Sequence, residues 1–368
     1  TVKHISRLTF NREFIPQFTQ AGGNYFYIFG ETCARWRSSV WNFEKPCISP
    51  AFYTWKEEHP NYGGVNYPWS TRLERESSTL LHWNNNYSVN NEPESQNHLL
   101  SGNNYRPVDY TYRNRLDQID FPMHWNFNNV NDAFNIALSG DKYYSDATWN
   151  VVYVDSHDYA PDGAPENKRY CGSWEEKLTL MFTFRGIPCL YYGSEIEFKK
   201  GMPIDVGPNA PLEQTGRAYF GTNIEGTNPT VTDFGVWSGG SGSIVTTLNH
   251  PLAKHIQRLN QIRRKLPALQ KGQYSREGVS GDLAFKRRYT DATVDNFVLV
   301  TINGGATFTG IPNGTYREVI TGAQVTVSSE TLTASCSGNG NARIYVLLGT
   351  TGMTDPGKIG EDGAYLKP

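Results

Sequence analysis

Four short apolar runs, spaced among segments of helical periodicity, constrain the first 269 residues more than any other feature. They are YFYIFGE (25–31), DQIDFPM (117–123), NVVYVDSHD (150–158) and GIPCLYYGSE (186–195). Each is rich in aromatic or β-branched residues, and the first, third and fourth end in an acidic residue, so each reads as a buried strand. Helices are predicted around them. Residues 1–24 carry Ile5, Leu8, Phe14 and Phe18 before an Ala21-Gly22-Gly23 stop, and NNVNDAFNIAL follows the second run. SWEEKLTLMFTFR (173–185) sets Trp174, Leu178, Met181 and Phe182 on one face, with Ser173 and Glu176 spaced as a capping box. HPLAKHIQRLNQIRRKLPAL (250–269) has Pro251 near its first turn and Leu252, Ile256, Leu259, Ile262 and Leu266 facing inward. Strand alternating with helix predicts parallel α/β units. Between the first two strands lies a long irregular stretch, 32–116, holding five tryptophans from Trp36 to Trp83. A loop of that length in a compact domain is functional or a small subdomain.

After residue 270 the pattern changes. LAFKRRYT, NFVLVTIN, TYREVITG, AQVTVSSETLTAS and ARIYVLLG are short alternating strands around turns such as Pro312-Asn313-Gly314. Residues 270–350 therefore read as an antiparallel β-sandwich, and 351–368 as a tail or linker.

Charge is nearly balanced, with 34 basic and 36 acidic residues and no long basic run, which argues against nucleic acid or a charged membrane surface as partner. No segment reaches the roughly 18 apolar residues of a membrane span. The five cysteines, Cys33, Cys47, Cys171, Cys189 and Cys336, form no CxxC pair. Their odd number excludes a full disulfide framework; Cys33–Cys47 could close one loop, and free buried thiols are the plainer reading. The 22 Tyr, 18 Phe and 9 Trp stand among many Asn and Gly. Rings beside amides suit sugars, whose C–H faces stack while hydroxyls take directional hydrogen bonds. Ordinary aromatic packing in a loop-rich extracellular fold fits the same composition.

Two carboxylates close predicted parallel strands: Glu31 and Asp158. In a (β/α) barrel that edge holds the active site, and paired carboxylates among aromatic loops suit glycoside chemistry. Taken singly, each has a strong alternative, since most Glu and Asp at strand ends are caps or loop charges.

The wording around them narrows the choice. Gly30-Glu31, then Val154-Asp155-Ser156-His157-Asp158, then Gly186-Ile187-Pro188-Cys189-Leu190-Tyr191-Tyr192-Gly193-Ser194-Glu195 follow in order. The set resembles the α-amylase family of glycoside hydrolases, with its cyclodextrin glucanotransferases and transglucosylases, across essentially residues 1–350. The resemblance implies the C-terminal half of a (β/α)8 barrel followed by the β-sandwich. It implies an enzyme cleaving α-1,4-glucosidic bonds of starch or maltooligosaccharides through a covalent intermediate, by hydrolysis or by transfer to a sugar acceptor. A non-catalytic homologue that binds glucan is a further reading.

Position by position, the resemblance makes Glu31 the general acid/base and Asp158 the third carboxylate, which holds sugar hydroxyls. His157 becomes a donor to the same sugar, and Lys3 and His4 contacts on the leaving-group side. The His4 backbone carbonyl becomes a calcium ligand, and Trp36 the lining of an acceptor subsite. Thr1-Val2-Lys3-His4 matches the family run that follows the nucleophilic aspartate, so the nucleophile is expected just before Thr1. The other half of the barrel is expected to precede it, since four strands cannot close a barrel. A polymeric substrate implies secretion. The sequence departs from the family at Ser156, where asparagine is usual; a shorter hydroxyl can still hydrogen-bond, so altered loop geometry rather than lost catalysis is expected there.

Overall fold

The structure is a computed structural model that describes residues 13–23, 26–31, 39–41, 45–47, 54–56, 59, 93–158, 168–204, 206–207, 209, 211–223, 230–233, 236–239 and 241–368. The first helix, α1, spans Ile15–Gly22, with proline in its first turn and Gly23 beyond it at φ 72°. Of the apolar positions read on this segment, Ile5 and Leu8 lie outside the described residues. Phe14 and Phe18 stand exposed, ring against ring at 6.1 Å, with Phe26 next in the row at 6.0 Å.

Strand β1 spans Ile28–Gly30, and a small antiparallel pair follows it, β2 (Ser39–Trp41) with β3 (Lys45–Cys47). Strand β4 is only Leu116–Gln118. The second apolar run thus divides, because Pro122 cannot continue a ladder and Asp120 caps a helix instead. Helix α2 spans Phe121–Asn126, with the Met123 amide donating to Asp120 Oδ1 at 3.0 Å. Helix α3, Val130–Gly140, is followed by strand β5 (Val151–Val152), helix α4 (Glu175–Thr183) and strand β6 (Ile187–Pro188).

The predicted parallel arrangement is present. β1 pairs in parallel with β4, Ile119 bridges in parallel to Val151, and β5 pairs in parallel with β6. Amides carry the ladder on from strand to strand: Ile119 to the Gly30 carbonyl at 3.1 Å, Asp120 to Val151 at 2.8 Å, and Cys189 to Val152 at 2.8 Å. The four strands therefore stand side by side in chain order. The capping box on α4 does not form: Trp174 is the cap, with no side-chain cap bond, and Glu176 reaches Lys177 and Asn303 instead. Among the described cysteines, Cys171 and Cys189 are free and exposed rather than buried, and Cys336 is half-buried. Cys33 lies outside the described residues.

A short hairpin, β7 (Thr230–Asp233) with β8 (Val236–Gly239), precedes three helices: α5 (Ser243–Asn249), α6 (Pro251–Lys265) and α7 (Pro267–Lys271). The helix read over 250–269 breaks before Pro267, and Leu252, Ile256, Leu259, Ile262 and Leu266 are all buried. Nine strands complete the chain: β9 (Gln273–Ser275), β10 (Val279–Ser280), β11 (Ala284–Thr290), β12 (Asp295–Ile302), β13 (Ala306–Thr309), β14 (Gly314–Glu318), β15 (Gln324–Val327), β16 (Thr331–Ala334) and β17 (Ala342–Leu347). They form a six-stranded antiparallel sheet, β15-β14-β17-β12-β11-β9, and a three-stranded one, β10-β13-β16. Pro312-Asn313-Gly314 does not close a hairpin; it carries the chain from the small sheet to the large one.

The central strands of the large sheet, β11, β12 and β17, are buried on both faces. Phe285, Val298, Val300, Ile344 and Val346 pack into the core shared with α2, α3, α4, α6 and α7. Their neighbours Ala284, Phe297, Leu299, Tyr345 and Leu347 pack against Phe308 and Leu332 of the small sheet. Two buried faces explain why NFVLV is apolar at every position after Asn296 instead of alternating. Residues 351–368 contain no helix or strand, yet Ile359 and Leu366 are buried, and Arg258 on α6 donates to both their carbonyls, at 2.9 and 2.6 Å.

Fully buried Arg185 locks these parts together, lying between Asp120 and Asp141, while the Tyr274 hydroxyl on β9 donates to Asp141 at 2.9 Å. Arg185→Met is expected to destabilise the fold by about 3–5 kcal/mol, read from denaturant midpoints, because two carboxylates lose their buried cation. His255 on α6, whose Nε2 lies 2.9 Å from the Thr179 hydroxyl and 3.0 Å from the Glu175 carbonyl, has its pKa lowered by burial from 6.5 to about 4. The unfolded chain then binds the extra proton first. This group's contribution is present above pH 6.5 and is lost as pH falls toward 4. His255→Gln should flatten the melting-temperature profile across that window.

Candidate active site

Parallel pairing puts the C-terminal ends of β1, β4, β5 and β6 on one edge of the sheet. Glu31 follows β1 directly and is exposed. Residues 153–158 continue beyond β5: Tyr153, Val154 and Asp155 are buried, Ser156 emerges, His157 is exposed and Asp158 is partly exposed. With β4 between them, the backbones of the two site strands stand two interstrand steps apart, about 10 Å.

The turn that presents Asp158 is built locally. Its amide donates to the Ser156 hydroxyl at 3.1 Å. Asp158 Oδ1 lies 3.4 Å from His157 Nε2 and 3.6 Å from the Arg217 guanidinium. Arg217 is set mainly on the backbone: its Nε and terminal nitrogen both donate to the His157 carbonyl, at 3.0 and 2.7 Å.

Behind this turn Asp155 is paired with Arg169 at 2.7 Å and accepts the Tyr170 amide at 3.2 Å. Burial pushes the Asp155 carboxyl up, and the Arg169 charge pulls in the opposite direction. Tyr191 covers Arg169 at 4.5 Å, and its ring is 6.3 Å from that of His157. Under the other end of the sheet, Arg113 forks onto Asp117 at 2.8 and 2.9 Å and lies over the Tyr110 and Trp149 rings at 4.6 and 4.9 Å. Burial pushes Asp117 up to about 7 despite that cation.

Of the site residues read from sequence, the structure describes Glu31, His157 and Asp158 and sets them along one sheet edge. Lys3, His4 and Trp36 lie outside the described residues. Sequence reasoning passed over Arg169, Arg217 and the Arg113–Asp117 pair. Only the closeness of Arg169 to the acidic cluster in the chain hinted at any of them. The calcium implied by the resemblance would sit on the His4 carbonyl, again outside the described residues. Among the described residues no group of three or more His, Cys, Asp or Glu side chains could hold an ion, and no helix is long and apolar enough to cross a membrane.

The four side-by-side strands thus share one edge, beyond which Glu31 and Asp158 lie. No family model matches the chain. It is 25% identical over 261 residues to a cyclomaltodextrin glucanotransferase of Klebsiella oxytoca, an alignment covering 63% of this chain and 35% of that protein. A second cyclomaltodextrin glucanotransferase, of Geobacillus stearothermophilus, is 23% identical over 265 residues, 68% of this chain and 30% of that one. A β/α-amylase of Paenibacillus polymyxa is 28% identical over 177 residues, 44% of this chain and 12% of that one. The chain thus spans about a third or less of the length of these relatives. Among solved structures, an α-amylase of Geobacillus thermoleovorans aligns at a TM-score of 0.40 with 16% identity, covering 64% of this chain and 48% of that one. The sequence matches confirm the resemblance to the α-amylase family over part of the chain, and the relatives are enzymes of the glycoside hydrolase and transferase type.

Ser156→Ala removes the acceptor of the Asp158 amide and should lower unfolding free energy by about 1 kcal/mol in urea titrations. Ser156→Asn keeps an acceptor and should remain within about 0.5 kcal/mol of the starting protein.

Proposed function

We propose that this chain carries the acid/base side of a retaining α-glucan site, acting on α-1,4-glucosidic bonds of starch or maltooligosaccharides. The observation that carries the reading is the placement of Glu31 and Asp158 beyond the same edge of the parallel sheet, on strands separated by β4. In this reading the four side-by-side strands are half of an eight-stranded barrel, and the sandwich is its C-terminal companion.

Glu31 protonates the departing glycosidic oxygen, and a carboxylate on the other side of the ring takes the anomeric carbon. The nucleophile is the aspartate expected immediately before Thr1. Glu31, now ionised, then removes a proton from the incoming acceptor and restores the sugar's original anomeric configuration. Asp158 and His157 hold hydroxyls of the same ring, where contacts that strengthen as the ring flattens lower the barrier. Calcium, if held by the His4 carbonyl, would fix the backbone next to the nucleophile.

Water or a sugar hydroxyl can accept the glycosyl group. The transfer reading is favoured by the glucanotransferases among the relatives, and Trp36 would line the acceptor side. A polymeric substrate, too large to enter a cell, would go with a secreted enzyme.

Glu31→Gln in the full natural polypeptide is expected to cut turnover of a maltooligosaccharide about a thousandfold while leaving the fold intact, since the change is isosteric and removes the proton donor. Turnover is followed by chromatography, which also separates new reducing ends from elongated or cyclic products. Near-normal turnover in the variant would remove Glu31 from the mechanism.

A further inference from the structure

The Asp158 carboxylate has only loose contacts among the described residues, at 3.4 and 3.6 Å, so its place must be set by what holds the segment around it. Two arginines do this. Arg169 is wholly buried and its donors are directed at three separate segments. Its Nε donates to Asp155 Oδ2 at 2.7 Å, at the end of β5. One terminal nitrogen donates to the Tyr192 carbonyl at 3.1 Å and the Gly216 carbonyl at 3.4 Å; the other donates to the Ser194 hydroxyl at 3.3 Å. A buried ion pair therefore fastens Asp155, only three residues before Asp158, to Arg169.

The second arginine is attached to the first. Gly216, which Arg169 holds, immediately precedes Arg217, and Arg217 forks onto the His157 carbonyl. The segment from Asp155 to Asp158 is thus fastened at one end by Arg169 and near the other by Arg217. Both fastenings depend on the same buried guanidinium. Crowding at this point is tight: a Cβ on Gly216 would come within 2.5 Å of the Arg169 side chain, so the turn is pressed directly onto it.

We propose that Arg169 is a positioning residue, which acts through Asp155 and through the Gly216–Arg217 turn to set Asp158 relative to Glu31 without touching the sugar. This rests on the α-glucan reading of the site. Displacing a catalytic group by about 1 Å can cost about a hundredfold in rate, and that is the scale expected here. The guanidinium cannot be replaced by an ammonium, because a point charge can keep Asp155 but not the fork toward Tyr192, Ser194 and Gly216.

The test compares Arg169→Met, Arg169→Lys and Arg217→Ala in the full natural polypeptide, with maltoheptaose as substrate and amide exchange at Asp158 as an independent readout. Arg169→Met should lower kcat about a hundredfold with KM within about threefold, and should speed exchange of the Asp158 amide. Arg169→Lys should recover part of the kcat. Arg217 is half-exposed and its loss leaves no buried charge, so Arg217→Ala decides the matter if Arg169→Met fails to fold; a roughly tenfold loss of kcat at unchanged melting temperature is expected. Folded variants with the original kcat and the original Asp158 exchange would overturn the proposal. If the unaltered protein does not turn over maltoheptaose, the α-glucan reading fails on its own, and the exchange rates still decide whether Arg169 positions the segment.

Discussion

One buried cation, Arg185, joins the two halves of the fold. Arg185 stands at the entrance to β6 and neutralises Asp120, at the exit of β4, and Asp141, just past the end of α3. Asp120 also caps α2, and Asp141 receives the Tyr274 hydroxyl from the large antiparallel sheet. Such an arrangement gains little net energy over an apolar core, but it has few alternatives, since any other packing buries an unpaired charge. It fixes which strand lies beside which, and so fixes the edge from which the candidate carboxylates emerge.

Much of this was legible from the chain. Apolar runs and 3.6-residue spacing located the four parallel strands and helices α3, α4 and α6, because burial on a regular element leaves a periodic trace. Glu31 and Asp158 were singled out because each closes a short strand and stands in wording that resembles the α-amylase family, and the structure sets both beyond one sheet edge. Boundaries were less so: DQIDFPM reads as one strand, yet Pro122 and the Asp120 cap divide it into strand and helix. The supposed capping box on α4 failed because Glu176 has better partners 127 residues away and next door. Strand β13 was missed since ATFT carries too few apolar residues to stand out from the turns around it.

The arginines were not legible for a different reason. Arg169 and Arg217 look like ordinary loop charges, and what distinguishes them is where the chain returns in space. Arg169 serves carbonyls that lie 23 and 47 residues further on, and Arg217 a carbonyl 60 residues back. A side chain whose role is to join distant loops leaves no periodicity. Its signal is geometric, and three unrelated segments have to be placed before it can be read.

The double burial of the large sheet has a consequence for how such a protein can be rearranged. One face of β11, β12 and β17 belongs to the small sheet and the other to the helices of the α/β portion. The grammar of the sequence changes near residue 270, but the hydrophobic interior does not. A crossover there would give two products, each with an oily wall open to water. The strands after residue 270 are therefore not an interchangeable cassette: they can be inherited or engineered only together with the helices that cover them.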